Sequence, residues 1–232
     1  MKVKDIVLVH GLNNSKQSFY PLKRALTKLG FKVHLLYLAG HRSANKDLSL
    51  EDSLTYLEKQ LDKIKSKHFH CIGFSQGGLA LQLLPPTVQK RIKKQVLLAP
   101  ALSLKASSIL STFTSMMPAQ MPFLSLAPKK LSKFSWLSVA YFDLLFQQIK
   151  EFDLKKPSTI KTLIMVDPKD ELINVDGLKE IVSKRSKWKL EMIERPGQTF
   201  ICLGQGHIVF HPQYFKKTEW KDLLEKIKNF LN

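Results

Sequence analysis

The chain's 232 residues and 44% apolar content suit one folded domain large enough for a sheet covered on both faces, and they exclude a disordered chain. Its 37 Lys and Arg against 19 Asp and Glu leave a formal charge of +18, but the lysines are spread along helix faces, as at Lys59, Lys63, Lys65 and Lys67 or Lys216, Lys217, Lys221, Lys226 and Lys228. No helix-turn-helix, zinc pattern or aromatic RNA-binding signature accompanies them, so nucleic acid is not expected as a partner; the charge reads as a solvated surface, with peripheral contact to an anionic membrane as its second use.

The N-terminus passes from Met1-Lys2-Val3-Lys4-Asp5 straight into a strand at Ile6 to Val9, which leaves no room for a signal peptide. No later run approaches the ~18 uninterrupted apolar residues of a membrane-spanning helix. His10-Gly11-Leu12 follows, then a helical pattern from Phe19 to Leu29 and a strand from Lys32 to Leu38. After the turn Ala39-Gly40-His41-Arg42 comes a helix from Leu50 to Ser66. The next strand, Phe69 to Phe74, contains Cys71, and the other cysteine, Cys202, also sits in an apolar strand-like run. Two reduced, buried thiols and a cytoplasmic location are therefore expected.

That third strand runs into Gly73-Phe74-Ser75-Gln76-Gly77-Gly78, and a helix is expected from Gln76 to Leu84. Strand, G-x-S-x-G turn and helix together form a nucleophile elbow, which lifts one serine hydroxyl above the sheet edge. The small flanking residues let the chain reverse within a few positions and hold Ser75 in a strained geometry. Backbone N–H groups at the start of the following helix point toward developing negative charge.

Beyond a strand from Gln95 to Leu98, the alternation of strand and helix is interrupted from Ala101 to Leu154. This stretch is too long for a simple crossover helix, and Pro118, Pro122 and Pro128 divide it into short pieces. Its Phe113, Met116, Met117, Met121 and Phe123 suit an adaptable apolar wall, so it is expected to form a lid insertion over the serine within a single domain spanning residues 1–232. Plain core packing of a long crossover is the alternative.

Alternation then resumes. A strand from Thr162 to Val166 ends in Asp167-Pro168-Lys169-Asp170-Glu171, a helix runs from Val175 to Ser183, and a strand from Leu190 to Ile193. Thr199 to Leu203 is a candidate short strand, Gly204-Gln205-Gly206-His207 a glycine-flanked loop, and Thr218 to Leu231 a final helix. The pattern is that of an α/β protein with a mostly parallel central sheet and helices on both faces. A carboxylate just past a parallel strand lies on the edge where such folds gather their sites.

By its motifs the chain resembles the α/β-hydrolase superfamily, and within it the monoacylglycerol lipase and carboxylesterase branch, over nearly its whole length. Val7 to Leu12 is similar to the strand and H-G oxyanion loop, Ala39 to Arg42 to the P-G-H-G turn with Ala39 and Arg42 substituted, and Asp167 to Asp170 to the G-x-x-D acid turn with Asp167 replacing glycine. The order Ser75, Asp170, His207 is the nucleophile, acid, base order of that superfamily. The resemblance implies Ser75 as nucleophile, His207 as general base and Asp170 as its orienting acid. Asp167 and Glu171 are the rivals of Asp170. The backbone N–H groups of Leu12 and Gln76 would form the oxyanion hole. His211 is the rival base, His10 and His41 are expected to brace loops, and His34, His68 and His70 to be structural.

Such a site would hydrolyse a small-molecule carboxylic ester with an apolar acyl group through an acyl-enzyme, needing neither metal nor organic cofactor. No histidine or cysteine pair has metal-ligand spacing. The G-F-S-Q-G-G spelling also resembles acyl-protein thioesterases, which makes an acyl thioesterase the second reading. A non-catalytic hydrolase-fold protein that binds a ligand or an anionic surface is the third.

Overall fold

A computed structural model describes residues 3–39, 49–105, 116–118, 120–124, 130–152, 159–195 and 205–232. Six strands form one sheet: β1 (Asp5–Val9), β2 (Lys32–Leu36), β3 (Phe69–Phe74), β4 (Ile92–Leu98), then β7 (Lys161–Val166) and β8 (Trp188–Met192). Their order is β2-β1-β3-β4-β7-β8 and every neighbouring pair is parallel. Parallel strands buried on both faces must be apolar along their length. Accordingly Ile6 to Val9, Phe69 to Phe74 and Leu163 to Val166 are all buried. Charges on the internal strands fall at their starts, as at Asp5, Lys93, Lys94 and Lys161, and the two edge strands carry Lys32 and His34 on β2 and Lys189 and Glu191 on β8, which blunts edge-to-edge pairing.

Helices α1 (Tyr20–Lys28), α2 (Leu50–Asp62), α3 (Gln76–Leu83) and the short α4 (Pro86–Gln89) fall between the first four strands. The capping chemistry that starts them is local. Ser49 accepts the N–H of Asp52 at 3.0 Å to open α2, and Leu57 and Leu61 form its buried face. Later, Asn174 accepts the N–H of Gly177 at 3.1 Å to open α6 (Val175–Ser183). Glu219 accepts the N–H of Lys216 at 2.8 Å at the start of α7 (Lys217–Leu231).

The interrupted stretch holds more regular structure than its prolines suggest. Antiparallel β5 (Pro122–Leu124) and β6 (Trp136–Ser138) form a separate two-stranded ribbon, and α5 (Val139–Glu151) follows directly. This helix buries Val139, Tyr141, Leu144, Leu145, Phe146 and Gln148, and Leu145 joins the main apolar core. Its spacing of apolar residues is helical, and no proline interrupts it. The last part of the expected insertion thus contains one regular helix, with Leu145 reaching the core.

Strand order reverses at β1: the chain leaves it for β2 on one side, and β3 lies on the other. Ligands in open α/β sheets settle in the crevice beyond the strand C-termini at such a switch point. The loops after β1 and β3 meet there.

Candidate active site

Ser75 sits at that crevice with φ 50° and ψ −121°, in the positive-φ half of conformational space that L residues avoid. Such a conformation costs of order 1–3 kcal/mol and persists only where its surroundings enforce it. The enforcement is visible. The Ser75 N–H donates to the Leu98 carbonyl at 3.0 Å, and its own carbonyl accepts from Gly78 at 3.0 Å, Leu79 at 3.2 Å and Ala101 at 3.1 Å. The other non-glycine residues with positive φ among those described, Asn13 and Ala99, lie on the same edge, after β1 and β4. Backbone strain is gathered around the serine.

Two glycines permit the close approach. A Cβ on Gly77 would run into the carbonyls of Val9 and His10, and one on Gly11 would stand 2.9 Å from the Ser75 Cβ and 2.8 Å from the Phe74 ring. The loop bearing Leu12 is therefore pressed against the elbow that bears Gln76. Its shape is fixed from both sides. Asn13 donates to the Phe134 carbonyl at 2.7 Å and accepts the Phe134 N–H at 2.9 Å. His10 lies behind it, fully buried. Because the Leu38 N–H donates to His10 Nε2 at 3.2 Å, Nδ1 carries the proton and donates to the Gly11 carbonyl at 2.8 Å. His10 braces the loop as its sequence context implied; His41 lies outside the described residues.

Burial pushes the His10 pKa down to about 4, against the pull of its bond to Gly11, and burial does the same to His70. The sign of the consequence is fixed. Above pH ~6.5 both are neutral folded or unfolded; between ~6.5 and ~4 the unfolded chain takes up protons that the folded chain refuses. Stability should therefore fall as pH drops through this window. Urea unfolding at pH 7.5, 6 and 5 checks it, with His70→Gln expected to flatten the slope. Constant stability over that range would contradict the assignment.

His207 rests on the ring of Phe74, the residue before Ser75, with centroids 4.8 Å apart. Phe210 packs at a tilt against Phe74 at 4.5 Å and stacks on Phe19 at 4.0 Å, building an aromatic floor. His207 Nδ1 is 2.8 Å from Asp170 Oδ2. The other carboxylate oxygen of Asp170 accepts the N–H groups of Leu172 at 2.8 Å and Ile173 at 3.0 Å. Burial alone would raise the Asp170 pKa, but the charge and hydrogen bond of His207 and the two backbone N–H groups hold it below the usual carboxylate value. Asp170 engages Nδ1 of the imidazole, and Nε2 is the ring nitrogen facing away from this carboxylate.

The rival side chains are engaged otherwise. Asp167 pairs with Arg195, Nε to Oδ2 at 2.7 Å, both side chains fully buried. Glu171 accepts the N–H groups of Gly206 and His207, each at 3.1 Å. His211 caps the short helix Pro212–Tyr214, its Nδ1 accepting from Gln213 at 3.3 Å. Neither Arg195 nor the role of Glu171 is legible in the sequence, although three carboxylates in Asp167-Pro168-Lys169-Asp170-Glu171 are more than one histidine needs.

The Gln76 side chain is buried beneath α5, where its amide donates to Gln148 Oε1 at 3.1 Å. Of the residues expected to form the lid wall, Phe113 lies outside the described residues, and so does the side chain of Phe123, which belongs to β5. Met117 is half-buried, whereas Met116 and Met121 are 81% and 43% exposed, so these two form an open surface. Cys71 is buried and unpaired, its thiol pKa raised by burial; Cys202 and the candidate strand Thr199 to Leu203 lie outside the described residues. Among the described residues, no helix is long and apolar enough to cross a membrane.

A model of the alpha/beta hydrolase fold matches residues 5–134. No curated protein sequence matches the chain. Among solved structures, one from the metagenome-derived lipolytic enzymes LipS and LipT superposes with a TM-score of 0.76 at 17% identity, covering 99% of this chain and 94% of that one. A monoacylglycerol lipase from Paleococcus ferrophilus gives 0.74 at 16% identity, with 99% and 96% covered. A soluble variant of monoglyceride lipase from Saccharomyces cerevisiae, in complex with a substrate analogue, gives 0.71 at 15% identity, with 99% and 86% covered. At these identities the likeness is one of fold.

Proposed function

Because the chain belongs to the alpha/beta hydrolase fold family, we propose that it is a serine hydrolase of small carboxylic esters with an apolar acyl group. The observations that carry this are the strained backbone of Ser75 and, packed against its neighbour Phe74, an imidazole whose Nδ1 is held by a buried carboxylate. Ser75 Oγ attacks the acyl carbonyl while His207 Nε2 takes its proton; Asp170 stabilises the imidazolium. The N–H groups of Leu12 and Gln76 receive the oxyanion, the latter at a helix start where no helical carbonyl competes for it. His207 returns the proton to the leaving alkoxide, and water, activated by the same imidazole, releases the acid. These steps need no cofactor.

The lipolytic enzyme and the monoacylglycerol lipase that share the fold support the substrate class, since their names concern acyl esters. In this reading the segment from Ala101 to β6 sets acyl-chain preference and α5 supports it from below. Each methylene buried against that surface should raise kcat/KM about fourfold, corresponding to ~0.8 kcal/mol, until the surface is filled. A p-nitrophenyl ester series of increasing acyl length, run beside thioesters of the same acyl groups, tests both points. Faster esters than thioesters and a length cutoff that moves on Met117→Ala are expected. A cutoff that stays in place would assign the segment to core packing, and preferred thioesters would favour the thioesterase reading.

A further inference from the structure

We propose that Arg195, held by Asp167, is a positioning residue for His207: with Glu171 it fixes the backbone of the loop that carries the imidazole. The inference rests on the reading of His207 as the base and adds residues to it. Gly206, His207 and Ile208 are buried in a turn outside any helix or strand. Backbone groups buried in such a turn must find partners elsewhere, and here charged side chains supply them. The Glu171 carboxylate takes the N–H groups of Gly206 and His207, one on each oxygen. From the other side the Arg195 guanidinium donates to the carbonyls of Gly206 at 2.5 Å, Ile208 at 3.1 Å and Tyr214 at 3.3 Å. Donors and acceptors on both sides of His207 are thereby fixed.

The guanidinium is itself fixed. Its Nε donates to Asp167 at 2.7 Å, and the ring of Phe215 lies 5.1 Å from its central carbon. Asp167 also accepts the Lys169 N–H at 2.7 Å. The three carboxylates of the turn after β7 thus have separate roles. Asp167 anchors the arginine, Asp170 orients the imidazole, and Glu171 holds the loop's N–H groups. Gly206 lets the Glu171 carboxylate come this close: a Cβ there would stand 2.7 Å from it, and the carboxylate would have to shift. A buried ion pair adds little net stability compared with apolar residues of the same volume. A planar fork that reaches one carboxylate and three carbonyls does what a lysine cannot.

Two variants test this. Arg195→Lys keeps the charge opposite Asp167 but loses the fork; the double variant Asp167→Asn with Arg195→Met removes both charges and leaves none buried alone. Each is measured for kcat and KM on a p-nitrophenyl ester, for melting temperature, and by proton NMR for the low-field Nδ1–H resonance shared by His207 and Asp170, assigned by its loss in His207→Ala. The expected result is folded protein with KM within twofold, kcat lower by about a hundredfold, and a broadened or shifted imidazole resonance. Folded variants with unchanged kcat and resonance would overturn the proposal, as would a kcat loss that simply follows melting temperature in the lysine variant. A wild-type chain that lacks esterase activity but shows an Arg195-sensitive resonance would overturn the functional reading and leave the positioning role standing.

Discussion

Replacing Ser75 by alanine is expected to abolish ester turnover, lowering kcat by roughly five to six powers of ten. The change removes one oxygen and nothing else the fold needs. The elbow is held by backbone bonds, from the Ser75 N–H to Leu98 and from Gly78, Leu79 and Ala101 to the Ser75 carbonyl. An alanine makes the same bonds, and it is no worse than serine at a φ of 50°. Ser75→Ala should therefore melt within a few degrees of the parent. A fluorophosphonate probe gives the matching covalent result: the parent takes up one adduct on the peptide containing Ser75, and the variant takes up none. Equal turnover by parent and variant would remove Ser75 from the mechanism. A parent that refuses the probe in its folded state would favour the non-catalytic reading of the fold.

The frame of this site is legible in the sequence because its strands are buried on both faces and so read as apolar runs. Phe69–Phe74 begins and ends where its composition changes, and the strands at Ile6 and Thr162 begin one residue earlier than the apolar run indicates. Misplaced boundaries have identifiable causes. The strand from Lys32 stops at Leu36 instead of Leu38 because the N–H groups of Tyr37 and Leu38 turn to Gln60 and His10, outside the ladder. β4 begins at Ile92, before the expected Gln95. Its polar start is accommodated because Gln95 bonds Thr162 at 2.8 Å and Lys94 reaches the Phe230 carbonyl at 2.7 Å. α5 is obscured because the prolines ahead of it make the whole stretch look broken. Arg195 is hidden for another reason: nothing local distinguishes a buried arginine from the many exposed basic residues of a +18 chain.

His207→Ala should lower kcat by several powers of ten, whereas His211→Ala should leave it nearly intact. The two imidazoles lie four residues apart and differ in what surrounds them. His207 is bonded to the ionised Asp170 and lies on Phe74, next to Ser75. His211 is committed to capping Pro212–Tyr214, with burial lowering its pKa. In the proposed mechanism only the first hands a proton between serine and leaving group. Activity should also fall on acidification, because a protonated imidazole cannot accept the serine proton. Asp170 does not confound that limb. Its pKa is lowered in the fold, so its contribution to stability is complete above the unfolded value near 3.8 and is lost only as pH falls through the lower folded value. His10 and His70 weaken the fold between pH ~6.5 and ~4, so each rate is taken on protein shown by circular dichroism to be folded at that pH. Under that control, a rate that stays flat from pH 8 to 5, or an equal loss in the two alanine variants, would remove His207 from its role as base.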